Sequence, residues 1–199
     1  MATSDSDMKL RILTAAKKLF ARQGYDGTSV RQICEEAGAN VALVSYYFGG
    51  KENLLRALFE QFFAGNKMKD NEELLSRPVE GLALLIREII LFGLEDGEMG
   101  NIVKQELERS SPRTEIVLVY VSPVWKKIRD LLQQGREQGF FSFDSLDHTL
   151  TFVMGAALSF KWHTARSSLM EVTDYDSGVT ADHIVKLVMT SLRAPGTKA

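Results

Sequence analysis

Residues 28–51, TSVRQICEEAGANVALVSYYFGGK, hold two short helical patterns hinged at Gly38 and closed by Gly49-Gly50. Ser29 and Gln32 form an S-x-x-Q capping box, in which each side chain satisfies a free backbone N–H at the start of a helix. Ile33 and Ala37 then face inward and Gly38 makes the turn. Asn40 is a good N-cap for the next helix, whose inward residues are Val44 and Phe48. Two short helices crossing at a glycine turn make a helix-turn-helix, whose second helix fits the DNA major groove.

The flanks of this segment are helical as well. Ile12, Leu13, Ala16, Leu19 and Phe20 recur at helical spacing before it and stop at Gly24. After it, a helix beginning near Lys51 buries Leu54, Leu55, Leu58, Phe59 and Phe62. A polar stretch around residues 65–77 precedes Pro78, which suits the first position of another helix. That helix carries Leu82, Leu85, Ile86, Ile89 and Ile90 and ends near Gly97, and a weaker one covers residues 99–109.

Residues 114–139 are ambiguous, because the run Ile116–Val121 has strand propensity and Pro123 interrupts any continuous helix. Val124, Ile128, Leu131 and Leu132 keep the helical period, so a helix kinked or restarted at Pro123 is expected. Asp144 caps a further helix and Thr180 opens the last one. With eight or nine helices and no credible sheet, the expected class is all-α. A head over residues 1–56 joins a larger body over 57–199.

The chain has 199 residues, 45% of them hydrophobic, enough for one or two cored domains. No run of about 18 apolar residues spans a membrane. The start, MATSDSDMKL, lacks the basic-then-apolar order of a signal peptide, so a cytoplasmic protein is expected. The one cysteine, Cys34, lies on an apolar helix face and is read as packing. Residues 1–56 hold 8 lysines and arginines against 6 acids, and the remainder 16 against 20. A mildly basic head on an acidic body fits attachment of a DNA-binding end to something else.

The first turns of a recognition helix meet base edges, and here they carry Val41, Ala42, Leu43, Ser45 and Tyr46. Small apolar groups pack on thymine methyls, and Ser45 both donates and accepts. Arg31 has the reach for a guanine edge. Lys51, at a helix N-terminus, suits a phosphate, as do the hydroxyls of Tyr46 and Tyr47.

The first helix ending FARQGYDGTSV and the following RQICEEAGANVALVSYYFGGKENLL resemble the tetracycline-repressor (TetR) family of bacterial regulators over about residues 10–60. The resemblance implies a homodimer with a small-molecule effector pocket in each body, which releases operator DNA when the pocket fills. Position by position it implies DNA contacts at Arg31, Val41, Ala42, Leu43, Ser45, Tyr46, Tyr47 and Lys51, with Thr28 and Ser29 near the backbone. The recognition helix is more apolar than the family's usual pattern.

In the body, Phe92, Met99, Tyr120, Trp125, Met154, Trp162 and His163 are candidates to line an apolar effector pocket, with plain core packing as the competing reading. Gly155, Ala156 and Ser159 make a small-residue patch, and Ile184, Val188 and Leu192 an apolar stripe. Paired across a two-fold axis, these give a four-helix dimer interface. The histidines lack metal-site spacing, so neither metal nor cofactor is expected. No nucleophile elbow, P-loop or dinucleotide fingerprint marks an enzyme. The alternative to a DNA-binding regulator is a helical adaptor that binds protein through an amphipathic groove.

Overall fold

The computed structural model describes residues 2–63, 71–109, 111–158 and 176–193, with side chains from Asp5 onward. They form α1 (Ala2–Gln23), α2 (Val30–Ala37), α3 (Val41–Phe48), α4 (Lys51–Phe62), α5 (Pro78–Glu95), α6 (Gly97–Arg109), α7 (Thr114–Glu137), α8 (Leu146–Leu158) and α9 (Ser177–Leu192). A single 3-10 turn at Leu74–Ser76 leads into α5. Among the described residues the only strand-like feature is one isolated bridge, Phe141 to Arg193. The all-α class holds.

Two compact units result, one comprising Met1–Ala64 with Glu98–Tyr120 and the other Gly65–Gly97 with Val121–Ala199. The first therefore reaches beyond residue 56 and takes in α6. Its core is a shared apolar seam in which Ile12, Ala16, Phe20, Ile33, Val44, Leu54, Leu55, Leu58 and Phe59 are almost wholly buried. Met99 and Ile102 of α6 are buried too, and Gln105 Nε2 donates to the Ala21 carbonyl at 3.0 Å. At the far end of α4, the aliphatic stem of Lys17 brings its ammonium 4.7 Å from the Phe62 ring.

The second unit is built around α5, which packs on α8, α9 and the 3-10 turn. Leu82, Ile86, Ile90, Ile128, Leu131, Leu132, Val153, Ala181, Val188 and Leu192 fill its centre. Gly135 makes one close approach possible, since a Cβ there would fall 2.1 Å from the Phe141 ring. Phe141 seats in that notch, and Ser142 N–H donates to the Leu192 carbonyl at 3.0 Å.

Three local expectations are adjusted. The helix through Pro123 neither restarts nor becomes a strand: α7 runs from Thr114 to Glu137 with the proline inside it. Pro123 is exposed, and the one backbone bond it cannot make does not end the helix between the buried Val121 and Ile128. α8 is capped by Ser145 rather than Asp144, for the Ser145 carbonyl accepts from Thr149 N–H and its hydroxyl from His148 N–H. The last helix starts before Thr180, because the Asp176 carboxylate accepts from Val179 N–H at 2.8 Å.

Candidate nucleic-acid interface

The two short helices are held by local bonds and by very few buried side chains. Ser29, extended at φ −95° and ψ 152°, caps α2. Its N–H donates to Gln32 Oε1 at 2.8 Å, while Gln32 N–H donates to Ser29 Oγ at 3.2 Å. Gly38 ends α2 in the left-handed region at φ 62°, and its N–H reaches the Cys34 and Glu35 carbonyls. Arg11 Nη2 takes the Ala37 carbonyl at 2.6 Å, a cation where the helix dipole is negative. Asn40 then accepts from Ala42 N–H at 2.9 Å. Each such cap is worth about 1 kcal/mol, which matters for helices of eight residues.

Only Val44 of α3 is buried. One anchored residue leaves the opposite side of the helix outward: Val41 is 48% exposed and Tyr46 78%, with Ala42 and Ser45 exposed between them. The spacing i, i+1, i+4, i+5 puts these four on one face. Leu43, Tyr47 and Phe48 are half-buried along its flanks. Gly49 closes the helix at φ 73° with its N–H on the Ser45 carbonyl, and Gly50, at φ 136°, starts α4.

Arg31, Tyr47 and Thr28, at the margins of this face, are already partnered. Arg31 is exposed and paired with Glu35 at 2.9 Å. An exposed i, i+4 pair is worth only about 0.3–0.5 kcal/mol, so a base or phosphate displaces it readily. The Tyr47 hydroxyl donates to Asp5, which holds its proton more tightly than an ordinary phenol does, and the Lys9 ammonium lies 5.2 Å from the Tyr47 ring. Thr28 departs from its expected place. It is 2% exposed and its hydroxyl donates to the Gly24 carbonyl, so it builds the α1–α2 turn and leaves Ser29 as the exposed hydroxyl there.

Lys51 is half-buried rather than extended into solvent. Its ammonium donates to the Tyr25 carbonyl and lies 4.0 Å from the Tyr25 ring centre. Burial lowers its pKa below the usual lysine value, with the nearby Asp26 carboxylate opposing that shift. One of three N–H donors is thus committed, which leaves two for an anion at the N-terminus of α4. Tyr25, Asp5 and Lys9 touch the candidate residues Lys51 and Tyr47, and the sequence pattern does not single them out. Asp5 and Lys9 at i, i+4 on α1 were the available signal.

The candidates elsewhere are dispersed. Met99 is fully buried and Tyr120 stacks on Phe59 at 5.2 Å, both within the first unit. Phe92, Trp125 and Met154 are half-buried in the second. Val188 and Leu192 are 1% and 3% exposed, so core packing inside one chain accounts for them. Ile184 and Ala156 are half-buried against that core, and Gly155 is exposed. Ser159, Trp162 and His163 lie outside the described residues. Cys34 is buried, and burial raises its thiol pKa, as expected of a packing residue.

Residues 12–58, which contain the whole of this capped pair of helices, match the bacterial regulatory proteins of the tetR family. That segment is a helix-turn-helix domain of the tetR type. The chain spans less than half the length of the first curated relatives it matches, and the likeness to them is a likeness of this head. Over 57 residues it is 46% identical to the probable HTH-type transcriptional regulator YttP of Bacillus subtilis, a match covering 29% of this chain and 28% of that protein. The match to the Bacillus subtilis regulator LmrA likewise spans only 47% of LmrA's length. The HTH-type transcriptional repressor NicS of Pseudomonas putida is similar from end to end, 26% identical over 92% of this chain and 89% of NicS. The crystal structure of HlyIIR, a hemolysin II transcriptional regulator, superposes with a TM-score of 0.75 at 28% identity, covering 95% of this chain and 98% of that one. These relatives are named as regulators of transcription. Among the described residues no helix is long and apolar enough to cross a membrane.

Proposed function

We propose that the protein is a ligand-responsive repressor that binds a palindromic operator as a homodimer and is released by a small apolar effector. The observation that carries the DNA reading is the outward face of α3. Val41, Ala42, Ser45 and Tyr46 are exposed on a helix pinned by Val44 alone. An exposed Val beside an exposed Tyr is surface that hydration does not favour, and a groove with thymine methyls and phosphates matches it. Full-length similarity to NicS, a repressor by name, supports the direction of regulation.

Dimerisation is supported by apolar groups that the folded chain leaves uncovered on α8 and α9. Phe152 and Leu158 are 51% and 45% exposed, and Val179 and Leu187 are 55% and 66%. A Cβ on Gly155 would meet open space, so internal packing does not require a glycine there. A partner helix that approaches closely does. Two heads on a two-fold axis read two half-sites spaced by turns of the duplex.

For the effector, Phe92, Trp125 and Met154 offer half-buried apolar surface in the second unit. A ligand relieves repression only through its preference for the body conformation that misplaces the heads. The test is operator capture from genomic DNA, followed by variants. Ala42 or Ser45 substitutions re-rank a panel of operator variants. A ranking that survives them contradicts direct reading, and a compound screen that neither raises Tm nor releases DNA contradicts the effector.

A further inference from the structure

We infer that Arg113 is a positioning residue for DNA binding: it fixes the corner at Tyr25 and Asp26 against which the Lys51 ammonium is set, and so aims the phosphate-binding lysine. The inference rests on the DNA-binding reading above.

Everything involved lies within the first unit. Tyr25 sits in the α1–α2 turn, its ring close to two cations: Lys51 Nζ at 4.0 Å and Arg113 Cζ at 4.3 Å from its centre. Lys51 also donates to the Tyr25 carbonyl, so wherever Tyr25 goes the ammonium follows. Arg113 is held at three points. Its Nη2 donates to Asp26 at 2.8 Å, its Nε to Glu106 at 3.2 Å, and its plane lies by the Tyr25 ring. Only 17% of its side chain is exposed, and 2% of Glu106's.

The α6–α7 corner is tied to the same carboxylate. Ser111 Oγ donates to Glu106 Oε2 at 3.2 Å, Arg113 N–H donates to Ser111 Oγ at 3.2 Å, and Thr114 Oγ1 donates to the Glu106 carbonyl at 2.9 Å. A guanidinium fixed by a buried carboxylate is not a mobile surface charge. Its planar fork suits simultaneous pairing and ring stacking in a way an ammonium does not.

Charge gives Arg113 a second effect on Lys51. Burial disfavours the charge on Lys51; Asp26 and Glu106 favour it, and Arg113 itself opposes it. Arg113 pairs with both, and Arg109 adds a weaker contact to Asp26 at 3.7 Å. Without Arg113, Asp26 is left to compete with a phosphate for the ammonium. Arg113 need not touch DNA for any of this.

The test is a double-mutant cycle on the full-length chain, with binding to a mixed-sequence duplex read by anisotropy across a salt series and Tm recorded alongside. R113M is combined with E106Q so that no buried carboxylate is orphaned. That variant is expected to bind roughly tenfold more weakly near 0.1 M salt and to lose about one unit of salt slope, the loss of one phosphate contact. K51M alone is expected to do the same, and adding R113M/E106Q to K51M to cost nothing further. R113K keeps the charge, and with it the fold, if the double change unfolds the protein. Its smaller loss of affinity must likewise vanish in the K51M background. An Arg113 effect of equal size with and without Lys51, or a weakened complex with unchanged salt slope, overturns the positioning role while leaving the DNA-binding reading intact. Failure of the wild-type protein to bind any duplex at low salt overturns both.

Discussion

At the recognition face, single hydrogen bonds decide what is available to DNA. A phenol has one proton to donate, and in the free protein the Tyr47 proton goes to Asp5. A phosphate that needs the same donor must displace a carboxylate that also repels it. Asp5→Asn is therefore expected to tighten DNA binding about two- to tenfold, the equivalent of one net hydrogen bond of ~0.5–1.5 kcal/mol. The gain should disappear in Tyr47→Phe, and titrations of the two single variants and the double check it. A gain that persists without the hydroxyl assigns Asp5 a general field effect instead. The outward face of α3 is partly legible from sequence: Val41, Ala42, Ser45 and Tyr46 follow from the phase that Asn40 sets. The inward turn of Thr28 and the engagement of Lys51 by Tyr25 and Arg113 depend on parts of the chain distant in sequence, where local spacing carries no information.

Among the elements, the caps and turns that bound α2 and α3 are local, which is why the pair was readable. Ser29–Gln32, Gly38 and Asn40 each act within a few residues of themselves. Helix starts at Ser145 and Asp176 were harder to place, because Asp144 and Thr180 are themselves residues that cap helices and only the accepted N–H distinguishes them. Pro123 interrupts only one backbone bond of α7, and the buried Val117, Val121, Ile128 and Leu131 on either side carry the helix through it. Gly38→Ala places a side chain in a left-handed turn and is expected to lower stability by about 1 kcal/mol, measurable as a drop in urea midpoint. Gly135→Ala is expected to cost more, at least ~1–3 kcal/mol of overpacking, because the Phe141 ring is 2.1 Å from the new methyl position. A Gly135→Ala protein with an unchanged midpoint would falsify that close approach.

For the whole molecule, the uncovered apolar side chains on α8 and α9 and the spacing needs of a two-headed reader point to the same assembly. Gly155→Leu separates pairing from folding. A leucine in a helix interior is favoured over glycine by about 0.8 kcal/mol, and open space surrounds the site in one chain. The subunit should be no less stable, while the dimer dissociates. Leu187→Asp, on the other exposed helix, is expected to weaken the dimer by at least ~2 kcal/mol, roughly thirtyfold in Kd. Sedimentation at several concentrations checks both. A dimer that survives both changes is built on another surface. Loss of the dimer should carry with it the loss of operator affinity, since one head alone reads half a site.

The most direct measurement is sequencing of genomic fragments protected by the purified protein at low ionic strength. The expected result is enrichment of an inverted repeat whose half-site centres are separated by whole turns of the duplex, with Ser45 or Ala42 variants shifting the preferred bases inside each half. If an intact, folded dimer enriches no fragment, the outward face of α3 does not enter a DNA groove.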